Sequence, residues 1–171
     1  MSELVEEELA EFVSSVSWSD IPVTTQGHLL DLMSDALVVA SAGHAAPGMH
    51  GILSSLAGPK RPASACVWFE DVWADGPTAA LLNATLLQAW DYDDVHDDGL
   101  VHAMCLMLPT VLAAAQTHES HGDTLEFLTS VAVGIEVLCR LGKAVQPLDG
   151  WTATSTLGGI CLLYTSDAAD E

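Results

Sequence analysis

Basic side chains are almost missing from this sequence. Lys60, Arg61, Arg140 and Lys143 stand against 24 aspartates and glutamates, which leaves a formal net charge of −20 over 171 residues. A nucleic-acid partner needs a cationic footprint for its phosphates, so that class is excluded. The same sign argues against an anionic membrane surface. Long apolar runs are lacking too. The longest, Ala103 to Ala115, contains Pro109 and is too short to cross a bilayer. The opening MSELVEEELAEF is acidic where a secretory leader would be basic, so no export signal is expected. Cys66, Cys105, Cys139 and Cys161 have no CxxC spacing. They read as small core residues in a reducing compartment, neither a disulfide framework nor a zinc site. The expected location is the cytoplasm.

Half of the residues are hydrophobic, enough for one domain with a real core or for a piece of a larger one. A first helix runs from an N-cap at Ser2, with Val5, Leu9, Phe12, Val13 and Val16 on one face. A second starts at Asp20 before Ile21-Pro22 and ends near Gly43. Its stripe is Leu29, Leu30, Met33, Leu37 and Val38, with His28 read as a partly buried core histidine. A short third helix spans His50 to Leu56. Gly58 to Asp75 is the least helical part; its CVWFEDVW is a short strand or a buried loop, and Lys60-Arg61 is a solvated pair or an anion contact. Gly76-Pro77 opens a helix through Trp90. Another is expected from Gly99 to about Gln116, capped by Asp97 or Asp98. Asp123 and Glu126 form a capping box before a long helix through Lys143, preceded by solvated His118 and His121. Thr154, Ser155 and Thr156 then offer hydroxyls at a last helix start. The fold class is all-α.

One stretch resists a purely structural reading. Asp91, Asp93, Asp94, Asp97 and Asp98 crowd the end of the helix closing at Trp90, where the dipole disfavours negative charge. His96 and His102 interleave with or follow them. Three chemistries fit. Asp93-Asp94-Val-His-Asp97 matches the D-D-x-x-D magnesium-diphosphate motif of helical isoprenoid synthases. Alternatively His102 is a general acid/base held by Asp91. Or the cluster is a solvated acidic turn in a non-catalytic helical module.

Several linked motifs resemble the MmgE/PrpD family, which includes 2-methylcitrate dehydratase and cis-aconitate decarboxylase. They are Leu-Leu-Asn83-Ala-Thr, Trp-Asp91-Tyr-Asp93-Asp94, Leu-Val-His102, Leu108-Pro109, Val133-Gly-Ile-Glu136-Val-Leu-Cys-Arg140-Leu-Gly and Gly150-Trp-x-x-Thr154-Ser-Thr-Leu-Gly158. The N-terminal Leu9-Ala-Glu-Phe-Val and Ile21-Pro22 segments extend the likeness over residues 3 to 160. The resemblance implies the N-terminal part of a large helical domain, joined in the full protein to a smaller α+β domain, usually as a homodimer. It also implies a cofactor-free lyase reaction, without a metal, on a small di- or tricarboxylate. His102 and Asp91 take the catalytic positions; Asn83, Asp94, Thr152 and Thr154 are the supporting or substrate-binding candidates. Two departures stand out: Thr152 where many members carry a histidine, and Val95 where a threonine is common. These cast doubt on cis-aconitate or 2-methylcitrate as the specific substrate.

The last eleven residues, CLLYTSDAADE, interrupt a helix that has only begun. They resemble the translated read-through of a transposon-based sequencing adapter, so the expected division is a partial domain over 1–160 and a non-native tail over 161–171. A carboxylate substrate needs lysine or arginine to neutralise it, and the cluster region has none. The family's lysines are expected beyond residue 160, so the isolated chain should show no turnover.

The acid excess itself fits a salty cytosol, where a lysine-poor surface stays soluble. The thermal midpoint of the chain should therefore climb as KCl is raised into the molar range; a flat or falling midpoint refutes the salt adaptation.

Overall fold

The computed structural model describes residues 5–62, 64–118, 123–145, 150 and 152–159. Ser2, His121, Trp151 and the 161–171 tail lie outside them. The elements are α1 (Val5–Ser15), α2 (Val23–Gly43), α3 (Met49–Leu56), β1 (Ser64–Cys66), β2 (Trp73–Asp75), α4 (Gly76–Gln88), α5 (Met104–Thr117) and α6 (Thr124–Ala144). A 3-10 turn at Trp18–Asp20 precedes α2, and residues 153–159 are again helical. The protein is a helical assembly, with one two-stranded antiparallel hairpin pairing Ser64 with Asp75 and Cys66 with Trp73.

Helix α4 is the central pillar, packed between α2 and α5 and touching the hairpin, while α6 lies against α5. Asp75 starts it by accepting from the Thr78 amide at 3.0 Å and the Thr78 hydroxyl at 2.9 Å. Those two bonds also pull the Asp75 carboxyl below its usual pKa. Pro77 suits the first turn, where its missing N–H is no loss. Leu82, Leu86 and Leu87 are fully buried, each contributing about 1.5–3 kcal/mol by leaving water. Asn83, on the same helix, is buried with them. Its Nδ2 donates to the Cys66 carbonyl at 3.0 Å and its Oδ1 accepts from the Trp68 amide at 2.9 Å, fastening the hairpin to the pillar. The CVWFEDVW run thus divides into strand ends and a buried connection, with Val67 and Trp68 inside.

Four expectations change. Helix α2 buries Leu29, Ala36, Ala40 and Gly43, leaving Leu30, Leu37 and Val38 exposed. The reason is distance: a Cβ on Gly43 would lie 1.8 Å from the Leu86 carbonyl oxygen, so small residues face α4. His28 is exposed, not a core histidine. Asp20 does not cap α2; its carboxylate accepts from the Ser17 amide at 2.9 Å and hydroxyl at 2.6 Å, closing the preceding turn. Helix α5 begins at Met104, five residues later than Gly99, and neither Asp97 nor Asp98 caps it. The first, third and last helices and the Asp123–Glu126 box form as expected. Among the described residues no helix is long and apolar enough to cross a membrane.

Gly43→Ala should lose about 1–3 kcal/mol or more in urea unfolding, because backbone has to shift to admit the methyl. Gly27→Ala, in the same helix with nothing within 4 Å of the added atom, should instead gain about 0.5–1 kcal/mol. Equal effects at both positions would refute the close α2–α4 contact.

Candidate active site

The segment between α4 and α5 is shaped by three local devices. Beyond Gln88 the Trp90 indole donates to the Ala42 carbonyl at 2.9 Å, and Asp91 turns the chain with φ +56°. Aspartate tolerates this left-handed region better than most side chains. The chain re-enters the protein at Asp93, then exchanges an antiparallel bridge between His96 and Val101, whose carbonyl accepts from the His96 amide at 2.9 Å. The enclosed turn holds Leu100 at φ +50°, a strain of about 1–3 kcal/mol for such a side chain. It survives because Gly99 is wedged against Gly142 of α6: a Cβ on Gly142 would sit 2.7 Å from the Gly99 carbonyl oxygen. Buried Val101 pins the exit strand.

His102 follows at once, gripped on both sides. Its amide donates to Thr154 Oγ1 at 3.0 Å, tying the loop to the 153–159 helix. Two residues on, the Met104 amide donates to Asp94 Oδ1 at 3.0 Å, so Asp94 supplies the cap of α5 from ten residues upstream. Burial outweighs that bond and raises the Asp94 pKa.

The imidazole lies between two carboxylates. Asp93 Oδ2 is 3.3 Å from Nδ1, and Asp91 Oδ1 is 3.9 Å from Nε2. The acids differ in setting: the Asp93 side chain is 1% exposed and that of Asp91 81%. Neither oxygen of Asp93 nor Nδ1 of His102 makes an aligned hydrogen bond, so the 3.3 Å contact is a close approach of carboxylate oxygen to ring nitrogen without hydrogen-bond alignment. Cys105 lies alongside; burial first, then the Asp93 charge, push its thiol pKa up, so the thiol stays protonated. Asp91, Asp93 and His102 are also the described residues able to gather around a metal ion, one atom of each lying within 4.8 Å of the others. Yet the closest approaches of the two acids are to different ring nitrogens, whose lone pairs diverge, so one cation cannot use both contacts. The D-D-x-x-D acids do not converge either: Asp93 faces His102, Asp94 caps α5 and Asp97 is exposed.

No lysine or arginine among the described residues pairs with Asp91 or Asp93. Lys143 donates to Asp98 at 3.0 Å and Arg140 to Glu136 at 2.6 Å, beside an open depression of about 550 Å³ that His96 also lines. The Lys143 hydrogen bond holds the Asp98 carboxyl below its usual pKa. Lys60 stacks on Trp73.

The family model of the MmgE/PrpD N-terminal domain matches residues 7–162. The chain belongs to the MmgE/PrpD family. Among curated proteins, it is similar to the cis-aconitate decarboxylase of Aspergillus terreus, with 26% identity over 162 residues. That alignment covers 90% of this chain and 33% of the relative. It is also similar to the cis-aconitate decarboxylase-like protein oryM of Aspergillus oryzae, 27% identical over 161 residues, covering 88% and 33% respectively. The chain thus spans about a third of the length of the curated relatives it matches.

Of the residues singled out from sequence, the MmgE/PrpD fold brings His102, Asp91, Asp94 and Thr154 together. Asn83 is on the hairpin side of α4, its amide engaged with Cys66 and Trp68. Thr152 is exposed at the start of the 153–159 helix, where its carbonyl accepts from the Thr156 amide at 3.1 Å. Asp93 is the residue the sequence reading passed over as a partner of His102. Burial was the missing signal, because five neighbouring aspartates look alike until one of them is inside.

Asp94→Ala should cost about 1 kcal/mol through loss of the cap, while Asp94→Asn keeps the acceptor. The folded carboxyl titrates above its ordinary 3.8, so its contribution to stability is greatest below that value and declines as pH rises through the folded pKa. Urea midpoints across this window should show the Asn variant gaining on the parent as pH increases; a constant difference refutes the burial-driven shift.

Proposed function

We propose that the full-length protein carrying this segment is a lyase-type enzyme moving protons on a small di- or tricarboxylate, with His102 as general acid/base. The observation that carries the reading is the imidazole held between Asp93 and Asp91 on a loop fixed by the Asp94 cap and the Thr154 hydroxyl. Membership of the MmgE/PrpD family and relatives named cis-aconitate decarboxylase support it. Neutral imidazole takes a proton from carbon adjacent to a carboxylate, and the imidazolium returns it to carbon or to a departing hydroxyl. Each cycle leaves the ring as it began, with no electron transfer.

Carboxylate substrates require cations that the cluster lacks, and lysine or arginine from the remainder of the protein supplies them in this proposal. Thr152 and Val95 replace the histidine and threonine common in the family, which favours a carboxylic acid other than cis-aconitate or 2-methylcitrate. Dehydration and epimerisation begin with that proton abstraction; in decarboxylation the C–C bond breaks instead, the imidazolium delivers a proton to the carbanion left by CO₂, and the ring regains its proton from solvent. The homodimer, the cytoplasmic location, and independence from metals and cofactors are part of this proposal. Thr154 and Asp94 act in it by holding the His102 loop, and Asn83 by holding the hairpin.

In the full-length protein, His102→Gln should lower kcat on its carboxylate substrate by about 10²–10⁴-fold, and EDTA should leave the parent's rate unchanged. Full activity of the variant would sink the reading. Magnesium-dependent ionisation of an allylic diphosphate would transfer it to the isoprenoid class.

A further inference from the structure

We propose that Asp93, not Asp91, positions His102, holding a proton on Nδ1 and leaving Nε2 as the atom that exchanges protons. The inference rests on the reading of His102 as a proton carrier and names the residue that orients it.

A buried carboxylate with no donor is among the costliest groups a fold can hold. Neither oxygen of Asp93 has an aligned N–H or O–H donor, the neutral Cys105 thiol being the weaker donor close to it, and the buried Nδ1 of His102 lies 3.3 Å from Oδ2 with no aligned partner of its own. Each group is the partner the other wants. An Nδ1–H satisfies both after a small rotation; an unprotonated Nδ1 would set a lone pair against a buried carboxylate. Asp91 cannot do the same work. It is largely exposed and 3.9 Å from Nε2, so water screens it, and no hydrogen bond from its carboxylate to another described residue fixes its rotamer. It stands at the open side of the ring, where a substrate would arrive.

The other titratable groups do not compete for Nδ1. Asp94 is committed to the Met104 amide. Cys105 is held as a neutral thiol, with Sγ 3.3 Å from the His102 carbonyl. On α6, Cys139 is pushed up to about 11, chiefly by burial, and Glu136 is paired with Arg140. Thr154, from the 153–159 helix, accepts from the His102 backbone and presents no charge.

The test is long-range ¹H–¹⁵N correlation on the histidine-labelled 171-residue chain at a pH where the ring is neutral. The expected spectrum shows His102 with protonated Nδ1 and bare Nε2. Asp93→Asn offers an amide donor to Nδ1 and should shift the population toward the Nε2–H tautomer, whereas Asp91→Asn should leave it unchanged. A wild-type ring carrying its proton on Nε2 overturns the proposal without any variant, as does an Asp91→Asn effect larger than that of Asp93→Asn. In the full-length protein Asp93→Asn should lower kcat at least about 10-fold with little change in KM. If the tautomer is as stated and His102→Gln remains active, the positioning stands and the proposed function fails.

Discussion

A carboxylate out of water beside a single imidazole is the constraint to which the rest of the site answers. Removing one member of such a pair leaves the other without its polar neighbour, at about 1–3 kcal/mol. The loop must therefore be held where the two groups meet. A left-handed bend at Asp91 sends the chain inward, the His96–Val101 bridge closes the turn, and Asp94 and Thr154 fasten the backbone on either side of the ring. Three aspartates within four residues thereby take three different tasks: Asp91 faces solvent, Asp93 faces the imidazole, and Asp94 terminates a helix.

The scaffold beneath is built for closeness. Helix α4 receives α2 through alanine and glycine, and the hairpin through the Asn83 amide. Such packing leaves little slack in the end of α4, and the site begins three residues past it, at Asp91. Rigidity is thereby passed along the backbone into the loop that carries His102.

Helical architecture, the third and sixth helices, the Asp123 box and the family were all legible in the sequence, because periodicity, capping residues and linked motifs are local signals. The misreadings share one cause. Leu30, Leu37 and Val38 are greasier than Ala36 and Ala40, so hydrophobicity alone placed Leu29 and Met33 correctly but the other three on the wrong side of α2; steric fit against the Leu86 backbone decided it. Asp97 and Asp98 sit nearest the expected start of α5, but the cap came from Asp94, ten residues away through a folded loop. Burial of Asp93 is likewise a property of the loop's path. His102 and Asp91 could be picked out by residue type and motif; which acid touches which ring nitrogen needed coordinates.

The two glycines facing each other at positions 99 and 142 have an evolutionary corollary. Residue 142 belongs to α6 and is no member of the His102 cluster, yet a methyl there would collide with the Gly99 carbonyl three residues before the imidazole. A larger residue in α6 would therefore displace the turn that leads to His102, so positions 99 and 142 are sterically free to change only as a pair.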